Sequence, residues 1–467
     1  MARSEISSPV TDDTLRLARL FWLAIAVAAL CAVCAICTAR DLVYDGAFYL
    51  LATAAHAHLR IIEPARAVVQ GLQQCFAVAG ERAGITDLFV LSRLLSLGIS
   101  GWPVVLTALC WPVLPRAEKA WILGPLLNLA AVIPLTGFIG IGEGIIASCL
   151  LWLLFLLFAF RLREPWGAAA AILLAIACAF VHEAAFAFMA GLSLAALLRA
   201  WRAHGLERLA ALCVAMVAGI AALYLLGWTL APRSAIERSN FLFGLLGSFF
   251  GTGREPNLAA LASTAAALAV AAMAWTRGRT SWPAWGAALI FVIAAGFMLA
   301  MPDRLITPGR YFAARGLPVM FTTAAAAILY IAKERGVSPA RFVTRPVAAI
   351  LLGLILTQAA LQLTMTERWW TYTGDLRSLV ASRHGVVSFD ESSRAINPSG
   401  SRFRRELLES WSVEPLSLVL APHGQVQAWV EAAPFAPWVP YHADKPRSLP
   451  RAPGLDWSRF PTAGAPQ

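Results

Sequence analysis

Two aspartates lie directly after the first apolar segment of the chain. Asp41 and Asp45 are four residues apart, and on a helical turn side chains at this spacing share one face. Beside a membrane surface, such a pair can bind a divalent cation or act as a general base. Arg40 and Tyr44 are immediate neighbours, and Tyr49 follows in the same segment. The segment is therefore a candidate catalytic site, in which either aspartate could be the base.

Three further polar groups interrupt apolar stretches. Arg93 lies in a leucine run flanked by serines, Glu143 lies between two glycines, and His182 is followed by Glu183. A charged side chain is costly to place in a membrane, so it usually pairs with another group or lines a cavity. These four residues are therefore candidate substrate contacts.

Arginines precede a late apolar segment. Arg304 and Arg310 flank the stretch 305–309, and Tyr311 follows directly. A planar guanidinium group can donate two parallel hydrogen bonds to a phosphate. Combined with carboxylates for acid–base or metal chemistry, these arginines would suit a phosphorylated lipid substrate.

Apolar elements must position these residues, because the chain is strongly hydrophobic. Hydrophobic residues make up 59% of the sequence, charged residues only 14%, and the mean hydropathy is +0.67. Soluble globular proteins carry about 25% charged residues. The net charge of +11 could indicate nucleic-acid binding, but the basic residues punctuate apolar runs and form no basic helix. The composition predicts a protein that partners the lipid bilayer and not nucleic acid.

About eleven stretches approach the length and apolarity of a membrane span, which needs about 20 residues. We predict spanning helices at 17–38, 87–113, 120–140, 144–161, 166–182, 184–200, 208–230, 257–275, 284–301, 313–332 and 347–365. Very short turns join the third helix to the fourth and the fifth to the sixth, so one of these pairs could be re-entrant. The predicted fold is an all-α polytopic membrane protein with a small α+β appendage near its C-terminus.

Lysine and arginine positions predict the orientation, because cytoplasmic loops carry an excess of both. The basic, acid-poor set of loops contains Arg16, Arg19, Arg116, Lys119, Arg161, Arg163, Arg199, Arg202, Arg208, Arg277, Arg279, Lys333, Arg335, Arg341 and Arg345. The N-terminus is therefore predicted to be cytoplasmic and, with an odd number of helices, the C-terminus extracytoplasmic. All candidate site residues then map to the outer boundary of the membrane.

Three parts are predicted to lie outside the bilayer: an outer loop at 39–86, a second loop at 231–256 and the C-terminal tail. In the first loop, the stretch 64–80 is amphipathic, with apolar residues broadly on one side and Gln70, Gln73 and Gln74 on the other. This pattern is typical of a helix lying in the membrane interface.

The predicted division of the chain has four parts. They are a cytoplasmic N-terminus at 1–16, a transmembrane domain at 17–365, an extracytoplasmic region at 366–433 and an extended or disordered tail at 434–467. Short strands are expected within the third part at 385–389, 416–421 and 425–430.

The order of these features resembles the GT-C superfamily of polytopic membrane glycosyltransferases. The features that carry the likeness are Arg40 with Asp41 and Asp45 after the first helix, a long outer loop, the stretch Ser92–Ser96 around Arg93, Glu143, His182 with Glu183, and Arg310 with Tyr311 followed by Pro318. The likeness covers roughly residues 15–365 as architecture. The acidic pair that is adjacent in clear members of the family is split here.

The resemblance implies a polyprenyl-phosphate-linked sugar donor and transfer on the outer face. An inverting displacement needs one base and a stabilised phosphate leaving group, and the base would be Asp45 or Asp41. The residues expected to hold the lipid phosphate are Arg93, Arg304 and Arg310. Those expected to contact or shape the sugar or acceptor site are Arg40, Tyr44, Tyr49, Glu143, His182, Glu183 and Tyr311.

Two other functions fit the same composition. A transporter or flippase for a lipid-linked substrate would place ionisable residues at midplane depth and show repeated halves with broken helices, but the sequence shows no internal repeat. A non-catalytic assembly partner would depend on its C-terminal tail and not on Asp41 or Asp45.

Overall fold

Long apolar helices dominate the structure. The computed structural model describes residues 12–56, 58–132, 142–230, 308–339, 345–409, 412–421 and 428–431. Within these ranges, six helical stretches are long and apolar enough to cross a membrane: Thr14–Cys37, Leu88–Val113, Glu143–Phe160, Glu183–Arg202, Gly205–Leu230 and Val347–Ala381. The chain is therefore a helical, multi-pass membrane protein.

The elements are numbered here in chain order. The helices are α1 (Asp12–Cys37), α2 (Asp45–His56), α3 (Ala67–Arg82), α4 (Leu88–Ser96), α5 (Trp102–Val113), α6 (Leu123–Leu127), α7 (Glu143–Phe160), α8 (Pro165–Cys178), α9 (Phe186–Arg202), α10 (Gly205–Leu230), α11 (Pro308–Glu334), α12 (Arg345–Ala381), α13 (Phe389–Ile396), α14 (Arg402–Leu408) and α15 (Val413–Val419). The strands are β1 (Gly385–Val387) and β2 (Ala428–Val430). Short 3-10 helices lie at Arg40–Leu42, Pro64–Arg66, Arg116–Ile122 and Glu183–Ala185, and π-helical turns at Leu97–Gly101 and Asn128–Val132.

Most of the predicted spans that the structure describes are helical, with shifted ends. The predictions at 17–38, 144–161, 184–200 and 208–230 correspond to α1, α7, α9 and α10. The prediction at 166–182 is a shorter helix, α8, and that at 313–332 lies within α11. The predicted helices at 257–275 and 284–301 and the loop 231–256 lie outside the described residues, so the number eleven stays a prediction.

The span predicted at 120–140 begins as a broken helix. A 3-10 segment, the five-residue α6 and a π-helical turn follow one another from Arg116 to Val132. Pro125 lies in the first turn of α6, where its missing N–H is tolerated. At Gly124 an added Cβ would lie 2.4 Å from the Trp152 ring, so only glycine lets α6 pack this closely on α7.

The span 87–113 is one continuous apolar unit with a π-helical turn between α4 and α5. Gly98 in this turn packs directly on α3, because a Cβ there would lie 2.1 Å from the carbonyl oxygen of Gln73. A π turn inserts one extra residue into a helix and often marks a functional site. This turn carries Ser100 to the segment that contains Asp41.

The last membrane helix is longer than predicted. It was expected to end at 365, but α12 runs without interruption to Ala381. A helix of 37 residues is about 55 Å long, whereas the hydrocarbon core of a bilayer is about 30 Å thick. The C-terminal part of α12 therefore projects beyond the bilayer and carries the elements that follow.

These elements, β1 to β2 with α13, α14 and α15 between them, form a small appendage (385–431). The two strands pair in parallel, with Val386 opposite Trp429, which agrees with the strands predicted near 385–389 and 425–430. The strand predicted at 416–421 is wrong, because most of this stretch belongs to α15 or the turn after it. Val413, Leu416 and Leu420 are buried, and their spacing of three and four residues matches a helix rather than a strand.

The hydrophobic interior forms two clusters. The larger one fills the helix bundle around α7, with Trp152 and Phe158 buried completely or nearly so. The second cluster joins residues 39–54, the C-terminal half of α12 and the appendage. Its members include Leu42, Trp369 and Leu416. Sequence-distant segments thus share one core around the candidate catalytic segment.

Candidate functional site

Asp41 lies in a 3-10 turn between α1 and α2. The backbone adopts left-handed φ angles on either side of it, 48° at Ala39 and 54° at Tyr44. Because Tyr44 breaks the helical path, Asp45 begins the next helix, α2. The expectation that the two aspartates share one helical turn is therefore wrong.

The Asp41 carboxylate is almost completely buried, with 1% of its surface exposed. Its Oδ2 accepts a hydrogen bond from the Ser100 hydroxyl at 2.7 Å. Burial raises the pKa of Asp41 to about 6, although neighbouring Arg40 and the hydroxyls of Ser100 and Ser96 act to lower it. A carboxyl with such a pKa can exchange a proton near neutral pH.

Arg40 holds the other side of this turn to α12. Its Nη1 donates to Thr366 Oγ1 at 2.9 Å and to the Gln362 carbonyl at 3.5 Å. Burial lowers the pKa of Arg40, with Asp41 acting in the opposite direction, but a guanidinium stays charged in proteins. Asp41 thus lies beside a fixed positive charge.

A cleft opens beside Asp41. Its polar residues are Arg40, Asp41, Ser100, Gln358 and Gln362, which lie on the Asp41 turn, the first π turn and α12. The rest of the wall is apolar and comes from α1, both π turns, α12, Gly142 and the starts of α5 and α7. An amphiphile fits this distribution, because its chain can bury apolar surface while its head meets the polar residues.

A second cluster forms around Arg66, at the end of a 3-10 turn before α3. Arg66 Nε donates to Glu183 Oε2 at 2.8 Å, Nη2 donates to Glu183 Oε1, and Nη1 donates to Glu143 Oε2 at 3.2 Å. Burial acts to lower the pKa of Arg66, but the two carboxylates outweigh it and hold that pKa well above its usual value. The fork of Arg66 therefore binds both predicted site glutamates.

Gln70 connects this cluster to the segment after Asp41. Its amide nitrogen donates to the Tyr49 hydroxyl at 3.1 Å and to Glu143 Oε1 at 3.2 Å. Tyr49, Glu143 and Glu183 are thus brought together, as neighbours of one arginine and one glutamine. Gly142, which lines the cleft, directly precedes Glu143, so the two sites adjoin.

The glutamine face of α3 points into the protein. Gln70, Gln73 and Gln74 are each at most 1% exposed, and Gln74 bonds with Thr53 and the backbone of Arg60. The predicted helix is confirmed as the 3-10 turn Pro64–Arg66 followed by α3, and its placement in the membrane interface stays a prediction. Gln70 and Gln74 can be buried because they satisfy polar groups of the preceding loop, of Thr53 and of Glu143. The amide of Gln73 is buried without a hydrogen-bond partner among the described residues.

His182 caps the turn before α9. Its Nδ1 accepts a hydrogen bond from the Ala184 N–H at 3.1 Å, which makes Nε2 the protonated nitrogen of a neutral ring. The side chain is 3% exposed and lies beside Glu183, with Nδ1 at 3.6 Å from Oε2. His182 therefore caps the turn before α9 and lies next to Glu183 of the Arg66 cluster.

The remaining predicted site residues lie elsewhere. Arg93 is exposed and stacks over the Phe89 ring, which Arg377 also approaches. Tyr44 is buried in the core shared with the appendage, and burial raises its pKa. The backbone of Arg310 and Tyr311 lies in the first turn of α11, and Arg304 lies outside the described residues. Neither Arg93 nor Tyr44 lines the cleft beside Asp41.

Several residues of the site were missed by sequence reasoning, namely Arg66, Gln70, Ser100, Thr366 and Trp369. Arg66 carried a usable signal, because isolated carboxylates in apolar chains need a cationic partner. Its partners Glu143 and Glu183 are 77 and 117 residues away, so nothing local identified them. Serine, threonine and glutamine gave no signal of their own.

Comparison of the chain with known protein families, curated proteins and solved structures finds no match. Among the residues that the structure describes, no group of three or more His, Cys, Asp or Glu side chains is placed to hold a metal ion. The chemistry of the site is therefore inferred from its geometry.

Proposed function

We propose that the chain is a membrane glycosyltransferase of the GT-C type. It would transfer a sugar from a polyprenyl-phosphate-linked donor to an acceptor on the extracytoplasmic face of a bacterial inner membrane. The observation that carries the proposal is Asp41, a buried carboxyl with a pKa raised to about 6 at the polar end of an apolar cleft.

In the proposed reaction, Asp41 is the base. Its carboxylate takes the proton from the acceptor hydroxyl as that oxygen attacks the anomeric carbon of the donor sugar. The bond from this carbon to the phosphate oxygen breaks, and polyprenyl phosphate leaves with the bonding electrons. The configuration at the anomeric carbon inverts, and Arg40 provides positive charge beside the reacting groups.

The orientation is part of the proposal. The Asp41 and Arg66 clusters lie at one end of the bundle, whereas the opposite end carries the ion pairs Arg163–Glu207, Arg199–Glu207 and Arg202–Glu334. Cytoplasmic ends of membrane helices are rich in lysine and arginine. We therefore assign the basic end to the cytoplasm, with the N-terminus, and the C-terminus to the outer side.

One observation favours a second candidate, a transporter for an amphiphile. Two helical segments contain π-helical turns, and both turns line the same cleft. Interrupted helices at a binding site are typical of secondary transporters. A transporter would move its substrate without forming a new glycosidic bond.

The experiment is complementation of a strain lacking this gene, with surface glycans and polyprenyl-linked sugars as readouts. Asp41→Asn is expected to lower transfer by about 10²- to 10⁴-fold, the usual value of a general base. Asp45→Asn is the matched control, because Asp45 lies on α2 and does not line the cleft. It should restore the glycan.

Protein levels are measured by blot in each strain. A wild-type glycan pattern in the Asp41→Asn strain would refute the assignment of the base. If the Asp41→Asn strain keeps its glycan but the variant protein no longer moves a lipid-linked substrate across the membrane, the transporter is favoured instead.

A further inference from the structure

The turn that contains Asp41 is conformationally strained. Ala39 and Tyr44 both adopt left-handed φ angles, which are unfavourable for a residue with a side chain and persist only where the surrounding structure imposes them. Among the residues that the structure describes, these are the two residues other than glycine with positive φ. Gly46 closes the turn, because a Cβ there would lie 1.8 Å from the Asp41 carbonyl oxygen.

Side chains from the distant helix α12 bind this turn. The indole N–H of Trp369 donates to the Thr38 carbonyl at 3.1 Å, and Thr366 Oγ1 accepts from Arg40. Both residues lie more than 320 positions along the chain from their partners. They are on the same face of α12, because three residues make almost one helical turn.

The same part of α12 is itself fixed by the appendage. Trp369 is completely buried, in the core that also contains Leu42 and Leu416. The appendage helix α15 packs on α2, which follows the Asp41 turn. In addition, Arg404 of α14 forms an ion pair of 2.8 Å with Asp375 of α12. The strained turn is therefore held between α12 and the appendage.

We infer that Trp369 and Thr366 are positioning residues that hold the Asp41 turn in its reactive geometry, and that the appendage supports them. The extracytoplasmic appendage then shapes the site and does not itself bind the substrate. It rests on the proposed function for its kinetic part, but the structural part is independent of any reaction.

The chain offers a matched pair of tryptophans for the experiment. Trp369 is completely buried and donates to Thr38, whereas its neighbour Trp370 is 51% exposed. Replacing each by phenylalanine keeps an aromatic ring and removes the indole N–H. The full-length variants are purified in detergent and compared by hydrogen–deuterium exchange of the peptides covering 38–46, whose amides at Leu42, Val43 and Gly46 are hydrogen-bonded.

Trp369→Phe is expected to speed exchange in 38–46 by about fivefold or more, the effect of losing one buried hydrogen bond, and to leave the peptides of α9 and α10 unchanged. Trp370→Phe should exchange like wild type. Thr366→Val should act like Trp369→Phe, while Thr366→Ser, which keeps the hydroxyl, should restore wild-type exchange. Equal exchange of 38–46 in all four variants would overturn the inference.

The kinetic readout is the pH profile of sugar transfer in isolated membranes. A positioning role predicts that Trp369→Phe lowers kcat by about tenfold with KM unchanged and moves the midpoint of the profile, since the surroundings of Asp41 change. Faster exchange of 38–46 with no transfer by the wild-type protein would preserve the positioning inference and refute the glycosyltransferase. If the wild-type protein transfers sugar but Trp369→Phe changes neither the exchange of 38–46 nor the pH profile, the glycosyltransferase proposal stands and the positioning inference is refuted.

Discussion

The two acidic sites of this protein differ in how their charges are balanced. Glu143 and Glu183 share one arginine, Arg66, whose donors bind both carboxylates directly. Asp41 also has an arginine beside it, but Arg40 directs hydrogen bonds to Thr366 and to the backbone of α12. The first site is a closed ion-pair cluster, whereas the second leaves a carboxylate held by the Ser100 hydroxyl beside an open cleft.

The difference separates a structural role from a chemical one. A carboxylate bound by a bidentate arginine is fixed in its ionised form, so it is a poor proton acceptor. A carboxylate whose pKa burial raises to about 6 is ionised at neutral pH yet can accept a proton. The Arg66 cluster therefore fastens α3, α7 and the start of α9 together, and Asp41 is the candidate base.

The largest effect is expected at the Arg66 cluster. Arg66→Met would leave two largely buried carboxylates without their arginine, which costs about 3–5 kcal/mol. Arg163→Met is the control, because Arg163 is 80% exposed and such pairs contribute about 0–1 kcal/mol. Thermal unfolding of both purified variants measures the difference in stability. Equal losses of stability would show that the Arg66 cluster does not hold α3, α7 and the start of α9 together.

An intermediate effect is expected from pH, with opposite signs for activity and stability. The folded-state pKa of Asp41, about 6, lies above the value of about 3.9 in an unfolded chain. Between pH 4 and pH 6 the folded state therefore binds more protons, so the contribution of Asp41 to stability falls as pH rises. Transfer needs the ionised base, so its rate should rise through pH 6 and level off about one pH unit above the pKa of Asp41.

Thermal unfolding of the wild type and of Asp41→Asn is measured between pH 4.5 and pH 8. The difference between the two profiles gives the contribution of Asp41 to stability. Glu414 in the appendage also titrates there, because burial and nearby Glu431 raise its pKa to about 6. Its effect has the same sign and remains in the variant. A stability profile that is identical in the two proteins would mean that Asp41 is not perturbed by burial.

The smallest effect is expected from Ser100→Ala. The hydroxyl of Ser100 acts to lower the pKa of Asp41, so its loss should raise that pKa further. Transfer is expected to fall about two- to fivefold near pH 6, which corresponds to the loss of about 0.5–1 kcal/mol of hydrogen-bond stabilisation of the ionised carboxylate, and to recover at pH 8. Ser378→Ala on the exposed face of α12 is the control, and a loss that is independent of pH would argue against this role of Ser100.

Part of the site could be predicted from the sequence because the evidence is local. The candidate residues Asp41, Glu143, His182 and Glu183 stood out as ionisable groups at the ends of apolar runs. The choice between Asp41 and Asp45 could not be made, since it depends on the φ angle of Tyr44 and on Ser100, 59 residues away. Arg93 is exposed and does not line the cleft, and its position in the sequence did not indicate this placement.

The sequence by itself determined that the chain crosses a membrane. It also determined that the loops between the apolar segments form two sets, one rich in basic residues and one with both acidic and basic residues. Both follow from hydropathy and charge, which are properties of short segments. Only the tertiary structure decided that Arg66 pairs with Glu143 and Glu183, that the glutamines of α3 face inward, and that the appendage packs beside the Asp41 turn. Those features depend on which surfaces of distant segments meet, and hydropathy alone does not encode that choice.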